Sequence, residues 1–289
     1  MDKKNKIIGF TQLRNELEKG NLENFTRCMD FCEKIYVYDQ GSTDGSIEYY
    51  NNNSKFVVIR SEENRFWDEQ KCKAQLLQKL LDEQPDTDWI FWMDGDTLLD
   101  GRLLRDNNSA MIELCASSEE SDVGVVLFGH LNLWRSDTYY RIDNKFHGLN
   151  AGVSALWKNT GKLNFPLGPG LHQSPVPAGV NSNYKKCKYT LIHRGFATES
   201  QILNRYLERY KLYRSHGQGG WILNRLFDES TLNTCRADDG ILPDWFNMTD
   251  DIKPETKTRL IDIYREEVES NIGMTWGEAM NNHRRRWLL

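Results

Sequence analysis

Two aspartates flank a glycine at Asp94-Gly95-Asp96, directly after the apolar run Trp89 to Met93 (WIFWM). Carboxylates brought together by so tight a turn repel one another unless they share a cation. Oxygen ligands favour Mg²⁺ or Mn²⁺ over zinc. Such an ion, left partly open, bridges two phosphate oxygens and offsets the charge of a departing diphosphate. A D-x-D string alone is equally at home in a solvated turn or a helix cap; its position at the end of a buried strand is what points to metal.

Two further apolar runs end in polar loops. Lys6 to Phe10 (KIIGF) leads into Thr11, Arg14 and Asn15, and Lys34 to Tyr38 (KIYVY) leads into Asp39, Ser42 and Asp44. In an open α/β sheet, ligands settle beyond the carboxyl ends of the strands. Three strand ends therefore offer hydrogen-bonding or anionic groups at one edge.

The elements that must position these groups follow from periodicity. Strands are predicted over 6–10, 34–38, 55–59 (KFVVI), 89–93 and 123–128, with further strands over 151–157 and 189–193. Between them, Leu22, Phe25, Met29 and Cys32 recur at helical spacing, and residues 67–84 form an amphipathic pattern through Leu76, Leu77, Leu80 and Leu81. The alternation predicts an α/β fold with a mainly parallel central sheet flanked by helices and right-handed crossovers. After His193 the character changes. Thr198 and Gln201 make a capping box ahead of Ile202, Leu203, Tyr206, Leu207 and Tyr210, and Pro254 stands at a first helical position ahead of Leu260, Ile261, Ile263 and Tyr264. The expected organisation is a nucleotide-binding and catalytic domain over 1–200 and a mostly helical C-terminal extension over 201–289 packed on it.

Composition narrows the classes. The 289 residues carry 37 Lys and Arg against 42 Asp and Glu, a net charge of -5, which provides no excess positive field for a nucleic-acid backbone. No stretch approaches the length of about 18 apolar residues that a spanning helix needs, and the beginning MDKKNKIIGF has no secretion-signal core. Cys28, Cys32, Cys72, Cys115, Cys187 and Cys235 are scattered, with neither C-x-x-C pairs nor zinc spacing. A soluble, cytoplasmic chain with reduced thiols is expected. The aromatic, arginine-rich end HRRRWLL suggests peripheral contact with the cytoplasmic face of a membrane, or with a partner.

The segments KIIGFTQLRNE, YVYDQGSTDGS and DWIFWMDGDTLL, in this order and spacing, resemble the core signature of family 2 glycosyltransferases, over roughly residues 5 to 200. The resemblance implies the GT-A fold of nucleotide-diphospho-sugar transferases. It implies Asp39 at the nucleotide base, Thr11, Arg14, Asn15 and Ser42 around the nucleotide, and Asp94, Gly95 and Asp96 at metal and diphosphate. Many members carry two acids at the second strand end; here Asp39 is followed by Gln40. Lys71 and Lys73 match a place where relatives direct a basic or amide group at the donor, although surface lysines are the ordinary occupants of such a helix. Tyr189 to Tyr213 is similar to a family segment in which a strand-end histidine precedes a tyrosine-rich basic helix. This makes His193 a candidate third ligand for metal or diphosphate, or else a buried or capping histidine. Arg194, Arg205 and Lys211 either face phosphate or form the solvated side of that helix.

What the resemblance implies chemically is metal-dependent transfer of a sugar, with inversion, from a UDP- or GDP-linked donor to a hydroxyl on a glycan, a lipid-linked sugar or a protein. Inversion needs a base for the acceptor proton. Similar sequences present a His-Glu pair before the last strand, where this chain has Leu171-His172-Gln173, so Asp143 and His172 are the candidates. Trp134, Arg135 and Tyr140 are candidates for shaping the acceptor pocket, with ordinary packing as their alternative. Two other functions compete: a nucleotidyltransferase or pyrophosphorylase, whose usual glycine-rich first loop is missing from Thr11-Gln12-Leu13-Arg14-Asn15, and a nucleotide- or carbohydrate-binding protein without turnover.

Overall fold

The computed structural model describes residues 5–143, 152–168, 174–215, 229, 231–238, 240–248, 253–254 and 259–279. Contact density divides the chain into two compact units. Met1–His130, Leu149–Ile192 and Asp239–Phe246 make the first, and Leu131–Gly148, His193–Asp238 and Asn247–Leu289 the second.

The sheet begins with β1 (Ile7–Leu13), β2 (Lys34–Asp39), β3 (Phe56–Arg60) and β4 (Trp89–Trp92). β1 pairs in parallel with both β2 and β4, and β2 in parallel with β3. All seven residues of β1 and all four of β4 are buried, as expected for parallel strands covered on both faces. β5 (Thr97–Leu99), β6 (Val125–Asn132), β8 (Val153–Lys158) and β9 (Tyr184–His193) complete the order β3-β2-β1-β4-β8-β6-β9-β5. β8 runs antiparallel to both β4 and β6, so β6 points the same way as β4. The α/β class and the mainly parallel core are therefore present.

Helices α1 (Leu22–Cys28), α2 (Ser46–Asn51) and α3 (Glu69–Glu83) make the crossovers between the parallel strands. α3 buries Cys72, Lys73, Leu76, Leu77 and Leu80, a spacing that keeps one face on the sheet, where Phe10, Tyr36, Tyr38, Ile90 and Trp92 receive it. α4 (Gly101–Leu104) and α5 (Ser109–Glu120) follow β5.

In the second unit, α6 (Glu199–Ser215) begins with the expected capping box: Gln201 N–H donates to Thr198 Oγ1, and Thr198 N–H to Gln201 Oε1. α7 (Leu260–Ile272) lies further on. The segment after residue 200 is not wholly helical, however. β10 (Thr234–Arg236) pairs antiparallel with β7 (Tyr139–Arg141), and three residues are too few to show a period in sequence. Among the described residues, no helix is long and apolar enough to cross a membrane. The end HRRRWLL lies outside the described residues.

Candidate functional site

β1 carries the pivot of the sheet. The chain leaves it for β2 and β3 on one side and returns to β4 on the other, so the strand order reverses between β1 and β4. Asp94-Gly95-Asp96 follows at the tip of β4, and Arg14, Asn15 and Glu16 follow at the tip of β1. Gly95 is buried between an exposed Asp94 and a half-buried Asp96.

Glu16, which the sequence did not single out, closes this turn from behind. A β-carbon on Gly95 would stand 2.8 Å from Glu16 Cγ, 2.9 Å from its Cδ and 2.9 Å from Leu13 Cδ2. An alanine there would force the Glu16 or Leu13 side chain to shift. Only 8% of Glu16 is exposed, with Oε2 accepting from Asn21 Nδ2 at 2.7 Å and Oε1 from Lys19 Nζ at 3.1 Å. Burial raises the Glu16 carboxyl above its ordinary range and the Asp96 charge adds to that, while Lys19 and the Asn21 amide act in the opposite sense.

The loops after β1 and β2 are tied to each other. Asn15 N–H donates to Ser42 Oγ, Thr43 N–H donates to Asn15 Oδ1, and Glu18 N–H donates to Asp44 Oδ2, each at 2.9 Å. Asn15 holds a left-handed φ of 51°, which asparagine tolerates better than most residues. Asp39 is fully buried and accepts from both the amide and the hydroxyl of Ser42. Gly41, at φ 73°, lies where a β-carbon would come within 2.9 Å of the Glu63 carbonyl carbon. Gln40 is buried behind it, its side-chain oxygen accepting from Arg65 N–H. Thr11 is fully buried as well and donates to Met93 O at 2.7 Å, tying β1 to the residue before the aspartates. Thr11, Asp39 and Ser42 thus form the floor and the joints of this edge, whereas Asn15, Asp94 and Asp96 reach solvent. Arg14 is half-buried, and its Nε is a buried donor with no hydrogen-bond partner among the described residues.

The two lysines differ. Lys71 is exposed, 3.4 Å from Asp68. Lys73, for which a surface position is the ordinary expectation, has only 1% of its side chain exposed. It is ion-paired with Glu69, lies 4.6 Å from the Trp92 ring centroid and donates to Ser174 O. Its position on the helical face of Leu77 and Leu80 is the sequence signal for that burial.

The remaining candidates belong to the second unit. Asp143 accepts from Arg141 Nε at 2.8 Å and is ion-paired with Nη2 at 2.7 Å, and both side chains are buried. Arg141 stacks 4.3 Å from the Trp134 ring, and Trp134 Nε1 donates to Glu229 at 2.6 Å. Arg135 is ion-paired with Glu199 at 2.7 Å. His193 ends β9, with Nδ1 2.9 Å from Asn132 Oδ1 and the Phe196 ring packed edge-on. Among the described residues, no three or more His, Cys, Asp or Glu side chains gather as a metal site. His172 and Gln173 lie outside the described residues.

A hollow of about 540 Å³ opens at the other edge of the sheet, between Lys6, Glu33, Asp88 and Asn159, where β1, β2 and β4 begin. It is separated from Asp94 and Asp96 by the length of the strands.

No protein-family model and no curated protein sequence matches the chain. Solved structures similar to it include S. aureus TarS, at 14% identity over 70% of this chain and 39% of that one, with a TM-score of 0.40. A second is a putative glucose-1-phosphate thymidylyltransferase from Bacillus anthracis in complex with sucrose, at 9% identity over 53% and 69% of the two chains, TM-score 0.31. A third is a glycosyltransferase involved in glycosylating the major capsid of PBCV-1, at 12% identity over 44% and 51%, TM-score 0.22. This chain thus spans well under half of the TarS chain.

Proposed function

We propose that this chain is a glycosyltransferase of the GT-A type, which moves a sugar from a nucleoside-diphosphate donor to a hydroxyl acceptor with inversion. The observation that carries the reading is the placement of Asp94 and Asp96. Two carboxylates open to solvent flank a buried glycine at the tip of β4, beside the point where the strand order reverses. That crevice is where ligands bind in open α/β sheets.

The donor set fits a hard divalent cation: Asp94 and Asp96 would hold it through carboxylate oxygens and leave the ion room for phosphate oxygens. Bound there, Mn²⁺ or Mg²⁺ would supply charge neutralisation for the departing diphosphate. Arg14 offers the same anion a guanidinium whose buried Nε has a donor to spare. Asn15 and Ser42 tie together the two loops that would receive the nucleotide, and Asp39 fixes Ser42. Positioning of the donor is thus assigned to the β1 and β2 loops, and grip on its phosphates to the β4 turn.

The test is release of nucleoside diphosphate from a panel of UDP- and GDP-sugars with Mn²⁺, alongside calorimetry of UDP and GDP binding. Metal-dependent binding and release are expected, with Asp96→Asn abolishing the metal dependence at an unchanged melting temperature. Unaltered metal-dependent affinity in Asp96→Asn overturns the assignment. Binding without any release, against an active control, favours a binding protein. Formation of a free nucleotide sugar from a nucleoside triphosphate and a sugar phosphate marks a nucleotidyltransferase.

A further inference from the structure

The geometry points to Glu16 as a positioning residue for the Asp94-Gly95-Asp96 turn: its side chain, packed on Gly95, holds the two aspartates in the arrangement that presents both carboxylates to one cation. The cation part of this inference rests on the function proposed above; the bracing of the turn does not.

Three observations carry it. The Cγ and Cδ atoms of Glu16 lie so close to Gly95 that a methyl group could enter only by displacing a side chain, so the two residues are in close packing contact. Both Glu16 oxygens are engaged by this chain's own donors, Asn21 on one and Lys19 on the other, which anchors the brace without using a ligand. Asn21 is itself buried, and its amide N–H donates to Glu16 O, so the segment from Glu16 to Asn21 closes into a compact loop ahead of α1. A side chain tethered at its far end and pressed on the turn at its stem restrains that turn as a strut. The work lies in shape and tether, so glutamine, which keeps the length and one acceptor for Asn21, should serve almost as well as glutamate.

The decisive comparison is wild type, Glu16→Gln and Glu16→Ala, read by amide hydrogen exchange of the peptide over residues 93–97 and by Mn²⁺ titration with UDP, followed by electron paramagnetic resonance. Expected are faster exchange over 93–97 and at least about tenfold weaker Mn²⁺ binding in Glu16→Ala, with Glu16→Gln within about threefold of wild type on both readings. Equal exchange in all three proteins overturns the inference. So does Mn²⁺ binding lost equally in Glu16→Gln and Glu16→Ala with exchange unchanged, because the carboxylate would then act as a ligand. If Glu16→Ala does not fold, Gly95→Ala displaces the same contact from the other side, and it must show the same faster exchange or the inference fails. Failure of wild type to bind Mn²⁺ defeats the proposed function alone, and the exchange comparison still decides whether Glu16 braces the turn.

Discussion

Lys73 and Trp92 meet through a cation–π contact: the ammonium lies 4.6 Å from the ring centroid, inside the first unit, and is also ion-paired with Glu69. Truncating one member of a buried ion pair leaves the other uncompensated. Lys73→Met is expected to lower the unfolding free energy by about 3 kcal/mol in urea titrations. The double variant Lys73→Met/Glu69→Leu should recover most of that loss. A single variant within about 0.5 kcal/mol of wild type would show that the pair carries no stability.

Ser42 serves two loops at once, donating to Asp39 and accepting from the Asn15 amide. Ser42→Ala strips a buried carboxylate oxygen of one donor and a backbone amide of its acceptor. A loss of about 2 kcal/mol is expected, within the range for buried unsatisfied groups, together with weaker nucleotide binding in calorimetry. Full retention of both would mean that water replaces the hydroxyl without cost.

Gly41 and Gly161 share a φ of 73°, but only Gly41 has backbone against the place where a side chain would stand. Alanine at Gly161 should cost about 1 kcal/mol, the left-handed strain alone. Alanine at Gly41 adds the clash with Glu63 and should cost about 1–3 kcal/mol more. Chemical denaturation of the two variants isolates the contact as their difference, and equal losses would show that the Glu63 segment moves aside freely.

Asp44 provides a pH signature. Burial by itself raises its carboxyl, but hydrogen bonds from Ser46 and from the Glu18 amide outweigh that and hold it below the usual range. A depressed folded-state value means that the carboxylate stabilises the fold above the ordinary value of about 4 and loses that contribution as pH falls through the folded value. The melting-temperature gap between wild type and Asp44→Asn should therefore be widest near neutrality and narrow on acidification. A gap independent of pH would remove the charge from this explanation.

Much of the first unit was legible in the sequence because β1, β2 and β4 are buried along almost their whole length and so appear as unbroken apolar runs. β1, β2, β3 and β4 all fall on such runs, and α3 shows its spacing plainly. β9 extends five residues before the expected start at Tyr189, and those residues alternate exposed and half-buried, with lysines at 185, 186 and 188, which masks the strand. α2 is too short and polar to show a stripe. In α5 the inward face, Met111, Leu114, Cys115 and Ser118, is weakly apolar.

At the site, the sequence named the groups at the strand tips but not their company. Glu16 meets Gly95 across a long stretch of chain, a relation no local spacing encodes. Its one visible signal was an acid beside Asn15 in a strand-end loop. Lys73 could have been found sooner, because it lies on the same helical stripe as Leu77 and Leu80.

The knots between Asn15, Ser42, Thr43, Glu18 and Asp44 settle the conformational entropy of both loops while the protein folds. A molecule arriving at that rim meets a rigid receptor, so its capture should follow single-exponential kinetics, with a rate that grows linearly with concentration and no slow ordering phase.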